Sequence, residues 1–335
     1  MSENGIEKLK SKEGQPSFTP ISGMDMPRFA GPVNFMRLPH LTWDDDAVEQ
    51  VQIGIVGVPW DGGTTNRPGA RHGPRQLRDL STMIRWINPA SGINPYEACN
   101  IADMGDAPVN PADMADSLDR ITTFYKVLKE KNIVPMTAGG DHLISYPVLK
   151  AIAATSPVGM IHFDAHTDLF DNYFGGFKYT HGTPFRRAIE DGHLDPKRTV
   201  QIGIRGAMYN DDDIVWGLEQ GVRIIRIEEV EDRGIKDVMA EARKIVGDKP
   251  TYVSFDIDSI DPAFAPGTGT PEIGGFTTRE AQRMVRLLEG LNLIGADLVE
   301  VSPPFDNTGG TAWVGANIMY ELLCVLSQSP AIKSK

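Results

Sequence analysis

The chain has 335 residues, and its 33 Lys and Arg against 45 Asp and Glu give a formal net charge of −12. That acid surplus excludes a basic, phosphate-binding face and so a nucleic-acid partner. No run of about 18 apolar residues exists to span a membrane. The two cysteines, Cys99 and Cys324, lie far apart and outside any C-x-x-C pattern, which excludes a disulfide framework and a zinc ribbon. The opening MSENGIEKLKSKEGQ lacks the apolar segment of a secretory signal, so a cytoplasmic protein with reduced thiols is expected.

Residues 1–45 read as an irregular arm punctuated by Pro16, Pro20, Pro27, Pro32 and Pro39, since proline fixes φ and removes a donor. Phe29, Phe35, Met36 and Leu38 imply that its second half lies on its own domain or on a neighbouring subunit. From residue 46 to 335 a single α/β domain is expected. Short β-rich runs at 51–59, 132–138, 158–164, 199–204, 222–227, 251–257 and 293–301 alternate with helical patterns near 74–86, 112–130, 143–154, 184–191, 235–246, 277–290 and 312–327. Near-continuous apolar strands separated by helices predict a mostly parallel central sheet covered by helices on both faces.

The chemistry sits where the strands end, which is where such sheets bind ligands. One run enters Gly139-Gly140-Asp141-His142, a second Asp164-Ala165-His166-Thr167-Asp168, a third Asp256-Ile257-Asp258, and the last ends at Glu300. Buried carboxylates need a partner, and few Lys or Arg lie beside these in sequence. Residues two apart on an extended segment share a side, so Asp164, His166 and Asp168 can converge, as can Asp256 and Asp258. With His142 this makes four carboxylates and two imidazoles, a charge match for two divalent cations. Oxygen and imidazole ligands without thiolate favour Mn²⁺, Ni²⁺, Co²⁺ or Fe²⁺.

The three segments Gly139–His142, Asp164–Asp168 and Ser254–Pro262 resemble the metal motifs of the ureohydrolases, the family of arginase, agmatinase, guanidinobutyrase and guanidinopropionase. The resemblance extends from about residue 25 and includes Arg71–Arg75, Ala265–Pro271 and Val299–Pro304; the guanidino-acid hydrolases are the most similar branch. It implies the three-layer arginase-like fold and two divalent metals per chain, with Mn²⁺ first and Ni²⁺ the alternative. Asp164 and Asp256 would bridge the pair, His142 and Asp168 would complete one site, and His166 and Asp258 the other. A water held between the metals would attack the guanidinium carbon. Asp168 would pass its proton to the leaving nitrogen, His181 would shuttle protons with a neutral-range pKa, and Glu300 would pair with the guanidinium. His162 is expected to support the site without being a ligand; His40, His72 and His193 are left as surface or loop residues.

Specificity is expected in the loop Leu169–Tyr179. Tyr173 stands where the guanidinopropionase branch has tyrosine, which favours a short guanidino acid such as 3-guanidinopropionate. Phe170 replaces the asparagine of the family and cannot hydrogen-bond a carboxylate, and Trp313 is bulkier than the residue expected there. If both line the pocket, an N-alkylated guanidine or a biguanide of the metformin type becomes a candidate substrate; otherwise both are packing. Agmatine hydrolysis, a non-catalytic subunit and a mononuclear deacetylase-like enzyme are the competing readings. A homo-oligomer, trimer or hexamer, is implied by the resemblance, with a mixed assembly with a related chain as the alternative.

Overall fold

The computed structural model describes residues 17–333. Eight strands form one sheet: β1 (Ile53–Gly57), β2 (Ile101–Asp106), β3 (Val134–Ala138), β4 (Val158–Phe163), β5 (Leu194–Ile204), β6 (Arg223–Arg226), β7 (Thr251–Asp256) and β8 (Leu293–Val299). Their spatial order is β2-β1-β3-β8-β7-β4-β5-β6, and every pairing is parallel. Side chains alternate between two apolar layers, as a pleated strand requires. On β7, Val253 and Phe255 join one layer and Tyr252 the other. The helices Gly73–Ser81, Ile235–Val246, Thr278–Arg286 and Gly310–Ser327 close the first layer through Leu77, Val238, Met284 and Ala312. Met114–Glu130, Ser145–Ile152 and Pro184–Glu190 close the second through Ile121, Leu149 and Phe185.

Between residues 17 and 45 the backbone is irregular apart from a single 3-10 turn, Phe35–Arg37. Phe35, Met36 and Leu38 are buried against the chain's own first layer, whereas Phe29 is exposed. Several elements differ from the sequence reading, among them the short helices Pro95–Ala98 and Pro330–Lys333. β2 was not expected: it is an edge strand, and IADMGD ends in polar residues because an edge needs less apolar surface. The helices Asp212–Gln220 and Ile227–Arg233 were also not expected, since their acidic first turns read as loop while serving the N-terminal helix dipole.

Two features of the sheet position the site. First, β3, β8, β7 and β4 are consecutive neighbours at its centre, so the four strands that end in acids or histidine deliver them to one edge. Second, a polar row crosses the sheet one layer below that edge. Thr137 pairs in register with Asp297, Asp297 with Ser254, Ser254 with His162 and His162 with Gln201. All five residues are fully buried.

Candidate metal centre and active site

His142 follows β3 in a 3-10 turn whose cap, Asp141, accepts the Leu143 amide at 3.1 Å. Its ring is fixed from below. His142 Nε2 lies 2.9 Å from Ser254 Oγ, and that hydroxyl donates to Asp297 Oδ1 at 2.7 Å. Ser254 therefore accepts from Nε2–H, which leaves Nδ1 as a bare lone pair. Nδ1 is buried and has no hydrogen-bond partner. It faces Asp164 Oδ2 at 3.1 Å, Asp168 Oδ2 at 3.0 Å and Asp256 Oδ2 at 3.0 Å.

Asp164 turns its second oxygen the other way. Oδ1 lies 3.4 Å from His166 Nδ1, which also meets Asp258 Oδ2 at 3.1 Å. Asp164 is thus shared between two clusters. Asp256 offers only Oδ2 to the first cluster, because its Oδ1 accepts the Asp258 amide at 2.8 Å. His162 also reaches Asp164 and could be counted among the ligands of the first cluster. Both of its nitrogens are occupied, however: Nε2 sits 2.8 Å from Asp164 Oδ2, and Nδ1 accepts from Gln201 at 3.1 Å. His162 therefore orients Asp164, in keeping with the supporting role expected of it.

A lone pair surrounded by three carboxylate oxygens calls for a positive charge. Burial opposes charging His142, yet Asp168 and then Asp164 and Asp256 raise its pKa well above the imidazole range. Burial, with Asp258 and Asp164, pushes the Asp256 carboxyl well up. For Asp164, burial is overcome by His162, His142 and His166, and its pKa falls well below the usual range. Asp258 is raised to about 6 by burial and Asp164. No Lys or Arg forms an ion pair with any of these four aspartates among the described residues. Divalent cations fit this donor set, whose oxygens and imidazole nitrogens match hard or borderline metals.

Beside the cluster, Glu300 Oε1 accepts the His142 amide at 2.9 Å and the His181 Nδ1–H at 2.9 Å. Oε2 is buried and unpartnered. Asp168 (φ 54°) and Glu300 (φ 64°) both hold left-handed backbone conformations, which cost about 1–3 kcal/mol each for residues other than glycine. Both are the acids that end a turn out of the sheet edge. His181 Nε2 accepts from the Thr65 amide at 3.2 Å and meets Thr65 Oγ1 at 2.8 Å. Burial opposes a second proton on this ring, but Glu300, then Asp141 and Asp168, raise it to about 9. That is higher than the neutral range expected from sequence, and the cause is the carboxylates the fold packs around it. The Thr65 amide opposes the same proton, so the ring is held between its two states.

Tyr173 has its hydroxyl against the backbone of Gly182, where a Cβ would come within 2.7 Å of it. Burial and the charge of Asp168 raise its pKa, and Gly182 directly follows His181 in the chain. Phe170 meets the Tyr173 ring edge-on with centroids 5.3 Å apart. Trp313 lies in the first turn of the helix Gly310–Ser327, partly buried against the first apolar layer. The same helix start holds the 265–269 loop beside Glu300, because Gly267 N donates to Thr311 Oγ1 at 2.8 Å. Asp141 and Ser254 stood inside the quoted motifs without a role of their own, while Asp297, Gln201 and Thr65 were missed from sequence. Of those three, only Asp297, an acid inside the apolar run LIGADLVEV, carried a local signal.

A parallel sheet whose central strands empty four carboxylates and two imidazoles into one buried edge defines an α/β enzyme of the metal-dependent hydrolase class. The Arginase family profile matches residues 51–324. The guanidinopropionase of Pseudomonas aeruginosa is 57% identical over 93% of this chain and 97% of its own length. The guanidinobutyrase of the same organism is 48% identical over 92% and 96%. The solved structure of proclavaminate amidinohydrolase from Streptomyces clavuligerus superposes with a TM-score of 0.85 at 38% identity, covering 90% of this chain and 99% of that one. The chain belongs to the arginase family, and its reaction class is hydrolysis of a C–N bond in a linear amidine. No helix among the described residues is long and apolar enough to cross a membrane.

Proposed function

We propose that the protein hydrolyses a short guanidino acid of the 3-guanidinopropionate type to urea and an amine, using two divalent metal ions held in the 46–335 domain. The observation that carries this reading is Glu300: one oxygen is fixed by His142 and His181, and the other is buried, unpaired and beside the acid cluster. A planar guanidinium supplies the paired N–H donors that such an oxygen lacks. Likeness to the Pseudomonas guanidinopropionase, together with Tyr173 beside Asp168, supports the short acid.

Asp164 and Asp256 would be shared by the two metals, with His142 and Asp168 completing one site and His166 and Asp258 the other. Mn²⁺ is the first choice and Ni²⁺ the second. When bound, the metals activate water and polarise the group attacked. Glu300 orients the guanidinium, and Asp168 holds the proton of the attacking water and delivers it to the leaving nitrogen. His181 carries protons between the site and Thr65. We place the protein in the cytoplasm as a trimer or hexamer, with a mixed assembly with a related chain as the alternative.

A second reading, an N-alkylated guanidine or biguanide, is favoured by one observation. Arg67 and Arg205 spend their donors on the backbone carbonyls of Thr268, Gly269, Ser259, Asp258 and Glu272, and Phe170 adds no donor toward a substrate carboxylate. The test is urea and amine release from 3-guanidinopropionate, 4-guanidinobutyrate, agmatine, arginine and alkylated guanidines or biguanides, with Mn²⁺ and Ni²⁺ separately. Turnover of 3-guanidinopropionate supports the first reading. Turnover confined to the alkylated compounds replaces it with the second. Inactivity on all, with both metals bound, removes both.

A further inference from the structure

Away from the catalytic edge, the N-terminal arm and the loop after the helix Gly73–Ser81 enclose a groove of about 450 Å³. Arg28, Arg37 and Arg85 line it beside Ile21, Ile84 and Trp86, and among the described residues no Asp or Glu does. Arg37 is only 6% exposed. Its Nη1 donates to the Met26 carbonyl at 2.9 Å, while its Nη2 is buried with no hydrogen-bond partner. An unpaired buried charge is among the costliest arrangements a fold can carry.

The neighbours make it worse. Arg28, which spends its Nη1 on the Met83 carbonyl at 3.1 Å, brings a second positive charge that acts, with burial, against Arg37. Exposed Arg85 adds a third, and forms no ion pair among the described residues.

The backbone holds Arg37 there under strain. Met36 and Arg37 are consecutive residues in the left-handed region, with φ of 53° and 60°, a conformation unfavourable for side chains of this size. Neighbouring contacts sustain it: the Met36 amide donates to Ser81 Oγ at 2.8 Å, and Tyr96 donates to the Met36 sulfur at 3.2 Å. Two strained residues thus hold a desolvated guanidinium in the wall of a cavity that, among the described residues, has cations and apolar walls but no counter-charge. Guanidinium groups recognise carboxylate and phosphate oxygens through charge-assisted bonds, and the volume lies in the range of small-ligand sites.

We propose that this groove binds a small oxyanion, a carboxylate or phosphate attached to an apolar body. Arg37 is the deep anchor, Arg28 and Arg85 close on the anion from the mouth, and the apolar body lies against Trp86 and Ile84. The site is separate from the metal cluster and uses none of its residues.

The test is calorimetric titration of the metal-loaded full chain with inorganic phosphate, acetate and phenylacetate at constant ionic strength. It is repeated on Arg37→Gln and on Arg28→Gln, whose exposed side chain makes it the safer variant for folding. The expected result is saturable binding by the parent, tighter for phenylacetate than for acetate, and weakened roughly tenfold or more in both variants. Urea release stays unchanged in Arg28→Gln. Identical isotherms in the parent and both variants would place the anion elsewhere and overturn the proposal, as would no binding by the parent. A smaller sedimenting species in Arg28→Gln, with a parent indifferent to added anion, would assign the groove to a carboxylate of a second copy and also overturn it.

Discussion

Two clusters of carboxylates in this molecule use opposite arrangements of charge. On the surface, Arg233 reaches Glu229 at 2.5 Å and Asp237 and Glu241 at 2.6 Å, while Arg223 meets Glu241 at 2.7 Å and also pairs with Glu229. Every acid there has an arginine of the same chain, and water reaches all of them. At the sheet edge, four aspartates gather around two imidazoles with no arginine or lysine, and Asp164, Asp256 and Asp258 are almost wholly buried. The first cluster is complete in itself and worth little, because solvent screens it. The second lacks any such partner, and on the proposed reading added cations offset its cost.

The contrast can be broken most forcefully at Asp164, which at the sheet edge faces both His142 and His166. Asp164→Asn should bind fewer than two metals per chain by elemental analysis and lose on the order of 10²–10³ in turnover; full metal content would contradict the shared-ligand geometry. Next comes Glu300→Gln. Removing one charge of a buried pair costs about 2–5 kcal/mol, so kcat/KM should fall at least about 30-fold while metal content stays intact. Asp297→Asn and Ser254→Ala act one layer down. Chelator competition should show metal affinity weakened about 10–100-fold, and unchanged affinity would mean that the His142 ring needs no support.

Smaller still is a pH effect. The pKa of His181 is raised from 6.5 to about 9 in the folded protein, so its contribution to stability is full below the unfolded value and fades as pH climbs through about 9. Chemical denaturation of the metal-free protein at a series of pH values should show that decline, and His181→Gln should flatten it. The smallest expected change is Arg233→Gln on the surface, at about 1 kcal/mol or less, diminishing further with salt. A larger loss would mean that the surface network is not the screened arrangement described above.

What sequence revealed, and what it did not, divides by the range of the interactions. D-x-H-x-D after one apolar run and D-x-D after another make Asp164, His166, Asp168, Asp256 and Asp258 legible as a group, but the alternation expected of an extended segment is not what gathers them: β4 ends at Phe163, Ile257–Ser259 is a 3-10 turn, and Asp168 is left-handed. The parallel sheet is legible too, from the apolar runs. The orientation of His142 is not, because it passes through Ser254 and Asp297, which meet only by strand register. The pKa of His181 depends on Glu300 and Asp141, distant in sequence. β2 was hidden because edge strands carry weaker patterns. Phe170 illustrates the limit for specificity: sequence identifies an unusual residue, and its partner, Tyr173, is fixed by the shape of a loop.

The polar row from Thr137 to Gln201 has a consequence for assembly. Its members come from β3, β8, β7, β4 and β5, drawn from both halves of the polypeptide. A slip of one residue in any of these pairings would turn a polar side chain into the opposite greasy layer and withdraw the prop beneath a histidine. Full-affinity cation capture is therefore expected to require these five strands in register. Tight uptake of the ions during refolding is then expected to report the alignment of these strands, which a colourimetric metal indicator can follow in time.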